Sequence, residues 1–355
     1  MSFFRGVGVI VGLELRQRVR TVAWYVLLGV FVVLVAAVTW LLALATNAWD
    51  DGGGGIFSTV VFFVLLLGTL VSPALSGNAI NGERDAGTLA TTQVTLITTW
   101  QLVVGKWLAA WLTALAFLAA AVPFLVYAVA LGEVRGSTIA SSVLVTAVEL
   151  GVVAAIGVGL SGILARPLFS VAVGYLAVAA LSIGTLIAFG LAGLATQSTV
   201  KQTYISIDWS QVPEGEEPAA GEVECLPPVT TEYRTPRFDV YWPVLAANPY
   251  VVVADAAPGA FDEYGSPQDL FTWISVGVRG AQHPPETEQV YDECEHWRQS
   301  TDAGFDTPED VYRNSVPSWF AGLAIHVLLG AGALWWAAAR TRTPARRLPT
   351  GSRVA

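Results

Sequence analysis

Six stretches of this chain are apolar enough and long enough to cross a bilayer, and no other feature limits its fold as strongly. They cover roughly residues 21–46, 56–77, 107–131, 138–164, 168–196 and 318–339. About twenty apolar residues in a helix traverse a hydrocarbon core, and in lipid each backbone N–H and C=O must be satisfied within the segment. The runs therefore predict an all-α polytopic membrane protein with six transmembrane helices. Composition agrees, since 54% of the 355 residues are hydrophobic and only 13% are charged. The first run follows Arg16, Arg18 and Arg20 and ends in Ala43-Leu44-Ala45, a pattern that a signal peptide shares. It is too long for a signal core and is read as a retained span.

The charges are sharply segregated. Residues 197–317 carry 21 acidic and 6 basic side chains, whereas the rest of the chain carries 7 acidic and 13 basic ones. An acidic surface argues against nucleic acid as a partner, because phosphate binding needs the opposite sign. Five parts follow. Residues 1–20 form an interfacial helix whose arginines reach anionic membrane lipid. Residues 21–196 hold spans one to five, residues 197–317 an acidic mixed α/β domain, residues 318–339 the sixth span, and residues 340–355 a basic tail. Arginine bias then puts both termini in the cytoplasm and 197–317 outside, in a multi-pass protein of the cell membrane. Within the acidic part, 201–208 alternates like a strand and 214–221 reads as a turn-rich tip. Residues 267–278 suit a helix capped by Ser266, and Thr307-Pro308 opens another. Residues 244–257 are apolar but too short to span, and suit packing on the membrane face of the domain. Trp24-Tyr25 near one end of the first run, with Trp40 and Trp49 toward the other, fit an interfacial aromatic belt, and Trp107 and Trp111 stand at the start of the third run.

Both cysteines, Cys225 and Cys294, lie in the acidic part. Outside the cytoplasm they would form a disulfide; inside it they would be free thiols. Cys294-Glu295-His296 with His283 offers a metal-site alternative, against which the disulfide is preferred. Glu149 falls inside the fourth run, where an ionisable side chain is a candidate functional group or a carboxyl protonated and bonded to a neighbour. His326, in the sixth run, reads as a packed polar residue. No Gly-x4-Gly-Lys-Ser/Thr loop occurs, so this chain has no phosphate cradle of that kind. No nucleophile-base grouping rises above composition, so no catalytic residue, resident cofactor or metal is assigned.

Between the second and third runs lies a polar segment, Asn81 to Lys106, far longer than a turn requires. It opens with Glu83-Arg84-Asp85, continues with Gly87-Thr88-Leu89 and closes on Gly105-Lys106. These residues resemble those of the type-2 ABC exporter permease family. The pattern departs from that family at Gln93-Val94-Thr95-Leu96, where many relatives carry Leu-Leu followed by Pro-Ser/Thr. The resemblance covers 1–196 and 318–340. It implies a permease subunit in which Glu83, Arg84, Asp85, Gly87, Thr88, Leu89, Gly105 and Lys106 couple to a separate ABC ATPase. It also implies ATP and Mg bound on that partner, and a second permease copy or paralogue. A rival reading is a membrane-anchored assembly or sensor protein whose outer domain binds a ligand or protein. A membrane enzyme is a third.

Overall fold

The computed structural model describes residues 2–45, 53–87, 97–132, 134–211, 224–299 and 307–341. It is mostly helical, with six helices long and apolar enough to span a membrane and one small sheet. A short run of helices opens the chain: α1 (Phe3–Val19), α2 (Val22–Ala45), α3 (Gly53–Ser76) and α4 (Asn81–Asp85). Then come α5 (Thr99–Ala130), α6 (Gly136–Ile163) and α7 (Pro167–Ala195). The acidic part contributes β1 (Gln197–Ile205), β2 (Val229–Pro236), α8 (Trp242–Ala246), α9 (Pro249–Ala256), α10 (Leu270–Gly280), β3 (Glu288–Asp292), α11 (Glu293–Gln299) and α12 (Pro308–Arg313). The last span is α13 (Trp319–Thr341).

The expected spans are present with shifted ends, and the largest shift is at the third. Its helix begins at Thr99 rather than near 107, because Thr98 caps it: Thr98 accepts from the Gln101 amide while Gln101 returns a bond to the Thr98 amide. Residues 99–106 are thus the first two turns of α5 and not part of a separate cytosolic segment. At about 1.5 Å per residue such a helix outreaches a hydrocarbon core of about 30 Å, so one end projects.

The spans pack as lipid-embedded helices do, through small residues. Gly159 and Gly162 of α6 leave room for Ala333 and Ala337 of α13, where an added Cβ would sit 2.5 and 2.6 Å from those methyl carbons. On the other side of the bundle, Phe31 and Trp24 of α2 meet the ring of Phe117 edge-on. Trp107 and Trp111 turn toward α6. They stack on one another and donate their Nε1–H groups to the carbonyls of Gly151 and Ala147 in α6, 2.9 and 2.8 Å away. An indole N–H buried between helices needs an acceptor, and a helix carbonyl can take a second bond.

The sheet has the order β2-β1-β3, antiparallel between β1 and β2 and parallel between β1 and β3. Cys225 and Cys294 form the disulfide beside it, with Cα atoms 6.2 Å apart and Ile207 buried against them. Closing so long a loop is worth about 4 kcal/mol in the chain-entropy account. The helix expected over 267–278 begins at Leu270, since Asp269 and not Ser266 accepts the Thr272 amide. Thr307 caps α12 as expected. The apolar stretch 244–257 becomes α8 and α9. Val252 of α9 packs where Gly322 of α13 has no side chain.

At α7 the chain widens into a π-turn over Ala180–Gly184. Asn248, fully buried between α8 and α9, donates to the Ser182 carbonyl (2.6 Å) and the Thr185 hydroxyl (2.9 Å) there. A π-turn loosens the regular ladder and leaves a carbonyl for an outside donor.

Candidate functional site

The residues expected to couple to a partner are split by the structure into two groups. Glu83, Arg84, Gly105 and Lys106 are engaged within the chain. Lys106 is only 2% exposed and donates to Glu83 of α4 (2.6 Å) and Glu14 of α1 (2.5 Å). Arg84 reaches the Gly162 carbonyl at the end of α6, 3.4 Å away. Gly105 lies under Ile10 of α1, and a Cβ there would stand 2.7 Å from the Ile10 Cβ. Asp85 and Gly87, by contrast, are exposed at the tip of α4, and Gly87 holds a positive φ of 74° that suits its lack of a side chain. Thr88 and Leu89 lie outside the described residues, as do Gln93-Val94-Thr95-Leu96.

The partner that sequence reasoning missed is Glu14. One face of α1 carries Val7, Ile10, Glu14 and Arg18 at helical spacing. Its contacts follow α5 in chain order: Gly6 lies beneath Gln101, Ile10 on Gly105, Glu14 on Lys106, and Arg18 donates to the Thr113 hydroxyl (3.2 Å). The two helices therefore run side by side in the same direction. Arg18 also donates to the Leu75 carbonyl of α3 (3.1 Å), so it does not reach for lipid. Burial draws its guanidinium below the ordinary value, against the opposing pull of Glu14. Lys106 itself was the available signal. A lysine at the start of an apolar run either reaches water or finds a buried counter-charge.

Below α4, Ser161 of α6 accepts from the amides of Ile80 (2.8 Å) and Asn81 (3.1 Å) and donates to the Asn81 side chain (3.0 Å). The link between spans two and three is thus anchored on the end of α6. What the arrangement offers chemically is rigidity: a charge cluster that joins α1, α4 and α5 into one body, with Asp85 at its free tip.

Glu149 and His326, 177 residues apart, meet in the middle of the helix bundle, each 1% exposed. His326 Nδ1 lies 2.9 Å from both Glu149 oxygens, and Nε2 lies 2.8 Å from the Ala247 carbonyl. A carbonyl only accepts, so Nε2 carries a hydrogen. One further proton is then shared between Nδ1 and the carboxyl, and the pair is neutral overall wherever that proton sits. This satisfies two ionisable groups at membrane depth and ties α6 and α13 to the α8–α9 turn. Glu149→Gln is expected to cost less than about 1 kcal/mol, because an amide N–H still serves Nδ1, whereas Glu149→Leu orphans that nitrogen at about 1–3 kcal/mol. Thermal unfolding of the two variants in detergent checks this, and equal losses would contradict the assigned hydrogen bonds.

A second buried charge joins the acidic part to the spans. Asp255 of α9 accepts from Arg279 Nε (2.6 Å), from the Ser318 amide and hydroxyl, and from the Trp319 amide (3.1 Å) at the start of α13. Arg279 also donates to the Tyr312 carbonyl (3.0 Å) and lies over the Tyr312 ring.

The metal alternative is not assembled. Cys294 is in the disulfide and His283 bonds to Ser315 at 2.7 Å, while the His296 side chain lies outside the described set. Among the described residues, no group of three or more His, Cys, Asp or Glu side chains could hold an ion. No family model matches this chain, and no curated protein matches it.

Proposed function

We propose that this chain is the transmembrane permease subunit of an ATP-driven ABC exporter. It couples ATP binding and hydrolysis on a separate ATPase subunit to movement of a substrate across the cell membrane. The observation that carries the reading is the Lys106 bridge. A polar helix between spans two and three is held by the ion pair of Glu83 with the buried Lys106 of α5, which is paired in turn with Glu14 of α1, so a push on its exposed tip is delivered to the spans and not absorbed by a loose loop. Asp85 and Gly87 form the contact; Glu83, Arg84, Gly105 and Lys106 set its position. ATP and Mg belong to the partner. A second permease copy or paralogue completes the assembly, with α2 and α7 presenting the widest exposed apolar faces for it and for lipid.

In this reading α1 is the elbow helix at the cytoplasmic boundary, both termini are cytoplasmic, and 197–317 is extracytoplasmic. The disulfide supports that side assignment, since such bonds persist in oxidising compartments. The alternative, an anchored sensor or assembly protein, draws on Asp255, which couples the acidic part to the sixth span just as firmly. Purification from native membranes separates the two. The permease reading expects an ATPase to co-purify and to hydrolyse ATP, and Asp85→Lys to lower its retention about tenfold, the factor that about 1.4 kcal/mol supplies. Full retention by that variant, or no ATPase at all, favours the sensor.

A further inference from the structure

A cavity of about 770 Å³ opens where the ends of three spans meet the acidic part. It is lined by Gly54 at the start of α3, Val129 at the end of α5, Val134, Arg135 and Thr138 at the start of α6, and Asp269 ahead of α10. Its polar groups are placed but not consumed. Asp269 is 6% exposed; its Oδ1 accepts both bonds from Thr272, the Phe271 amide adds a weaker pull on the carboxyl, and among the described residues no side chain donates to Oδ2. Thr138 is 4% exposed, and its hydroxyl makes no hydrogen bond among the described residues. Arg135 spends Nη1 on the Gly259 carbonyl at 3.2 Å, and its other nitrogens make no hydrogen bond among the described residues. A helix cap needs only one carboxylate oxygen, so capping α10 does not account for the second. Nor does capping account for an arginine on the opposite wall. Leu270 is anchored to Ser58 of α3, which fixes the carboxyl over the first turn of that span.

These groups specify a ligand. An arginine fork with free donors takes a phosphate. A carboxylate oxygen that opens on the cavity takes an N–H-bearing cation. Burial pushes the Asp269 carboxyl up, against the Thr272 bonds first and Arg135 after them, and an arriving cation would favour its charged form. The valines give an apolar wall that continues into the spans. We infer that this cavity holds the head group of an aminophospholipid, phosphate on Arg135 and ammonium on Asp269, with its acyl chains along the spans. A choline head group cannot donate to Asp269, and a glycerol head group brings no cation. The inference stands apart from the permease reading, since it concerns the opposite ends of the spans from α4 and needs no ATPase.

The test is native mass spectrometry of the full chain in detergent, with phosphatidylethanolamine, phosphatidylcholine or phosphatidylglycerol added. The expected result is that phosphatidylethanolamine is retained at concentrations at least tenfold below the other two. Asp269→Asn, which keeps a capping oxygen, and Arg135→Gln should each erase that preference. Thr138→Val, which removes only a hydroxyl, should weaken it about threefold and serves if either charge variant fails to fold. Equal retention of the three lipids by the natural chain would overturn the inference, as would unchanged preference in both charge variants. Displacement of the lipid by free phosphoethanolamine at equal concentration would also overturn it, because the site would then take a soluble zwitterion.

Discussion

Replacing Lys106 with methionine is expected to destabilise the protein by about 3 kcal/mol, near the lower end for breaking a buried ion pair. Methionine fills nearly the same volume, so packing under α1 survives. Glu14 and Glu83 are then left facing each other without the cation that holds them 2.5 and 2.6 Å from it. The lower end applies because Glu83 keeps about a third of its side chain in solvent, where water screens it. The same change should free α1 from α5, read as faster amide exchange over Phe3–Val19. Adding Glu14→Gln and Glu83→Gln to the methionine variant should restore stability to within about 1 kcal/mol, since a neutral set carries no uncompensated charge. A triple variant as unstable as the single one would show that Lys106 acts through packing alone.

Asp255→Ala should be costlier, at about 4 kcal/mol. It removes the acceptor for four donors and strands the Arg279 guanidinium in a buried site. A carboxylate at the first amides of α13 also opposes the positive end of that helix. Asp255→Asn keeps a capping oxygen but not the charge and should lose about half as much. Amide exchange at Ser318 to Gly322 gives the local readout: the alanine variant should exchange there well before the rest of α13. Uniform exchange along α13 would mean that the acidic part is held to the spans by something other than Asp255.

The membrane character of this chain was legible because lipid imposes a length and a polarity that sequence cannot hide. Six apolar runs predicted six helices, and the end that moved most was decided by the Thr98 cap; outside the spans, Asp269 likewise decided where α10 begins. Long-range pairings were not legible. Glu149 and His326 each looked like an isolated polar residue on an apolar helix, and only the packing of α6 against α13 brings them together. Glu14 sat among three arginines and read as part of a surface charge pattern, while its partner is ninety-two residues away. The inward turn of Trp107 and Trp111 was not legible either, because it depends on two acceptors that α6 supplies at the matching spacing of one helical turn. The Asn81–Lys106 stretch read as one polar segment because its charges fall at both ends; the Thr98 cap divides it.

The central claim is that the tip of α4 is where a separate ATPase pushes. A photo-crosslinking residue at Asp85, in the full chain in native membranes, tests it most directly, with the same group at the exposed Tyr264 as comparison. The account predicts that Asp85 captures a soluble subunit whose peptides include a Gly-x4-Gly-Lys-Ser/Thr loop, and that Tyr264 does not. Capture of no such subunit at Asp85 by a folded, membrane-inserted chain, or equal capture at both positions, would contradict it.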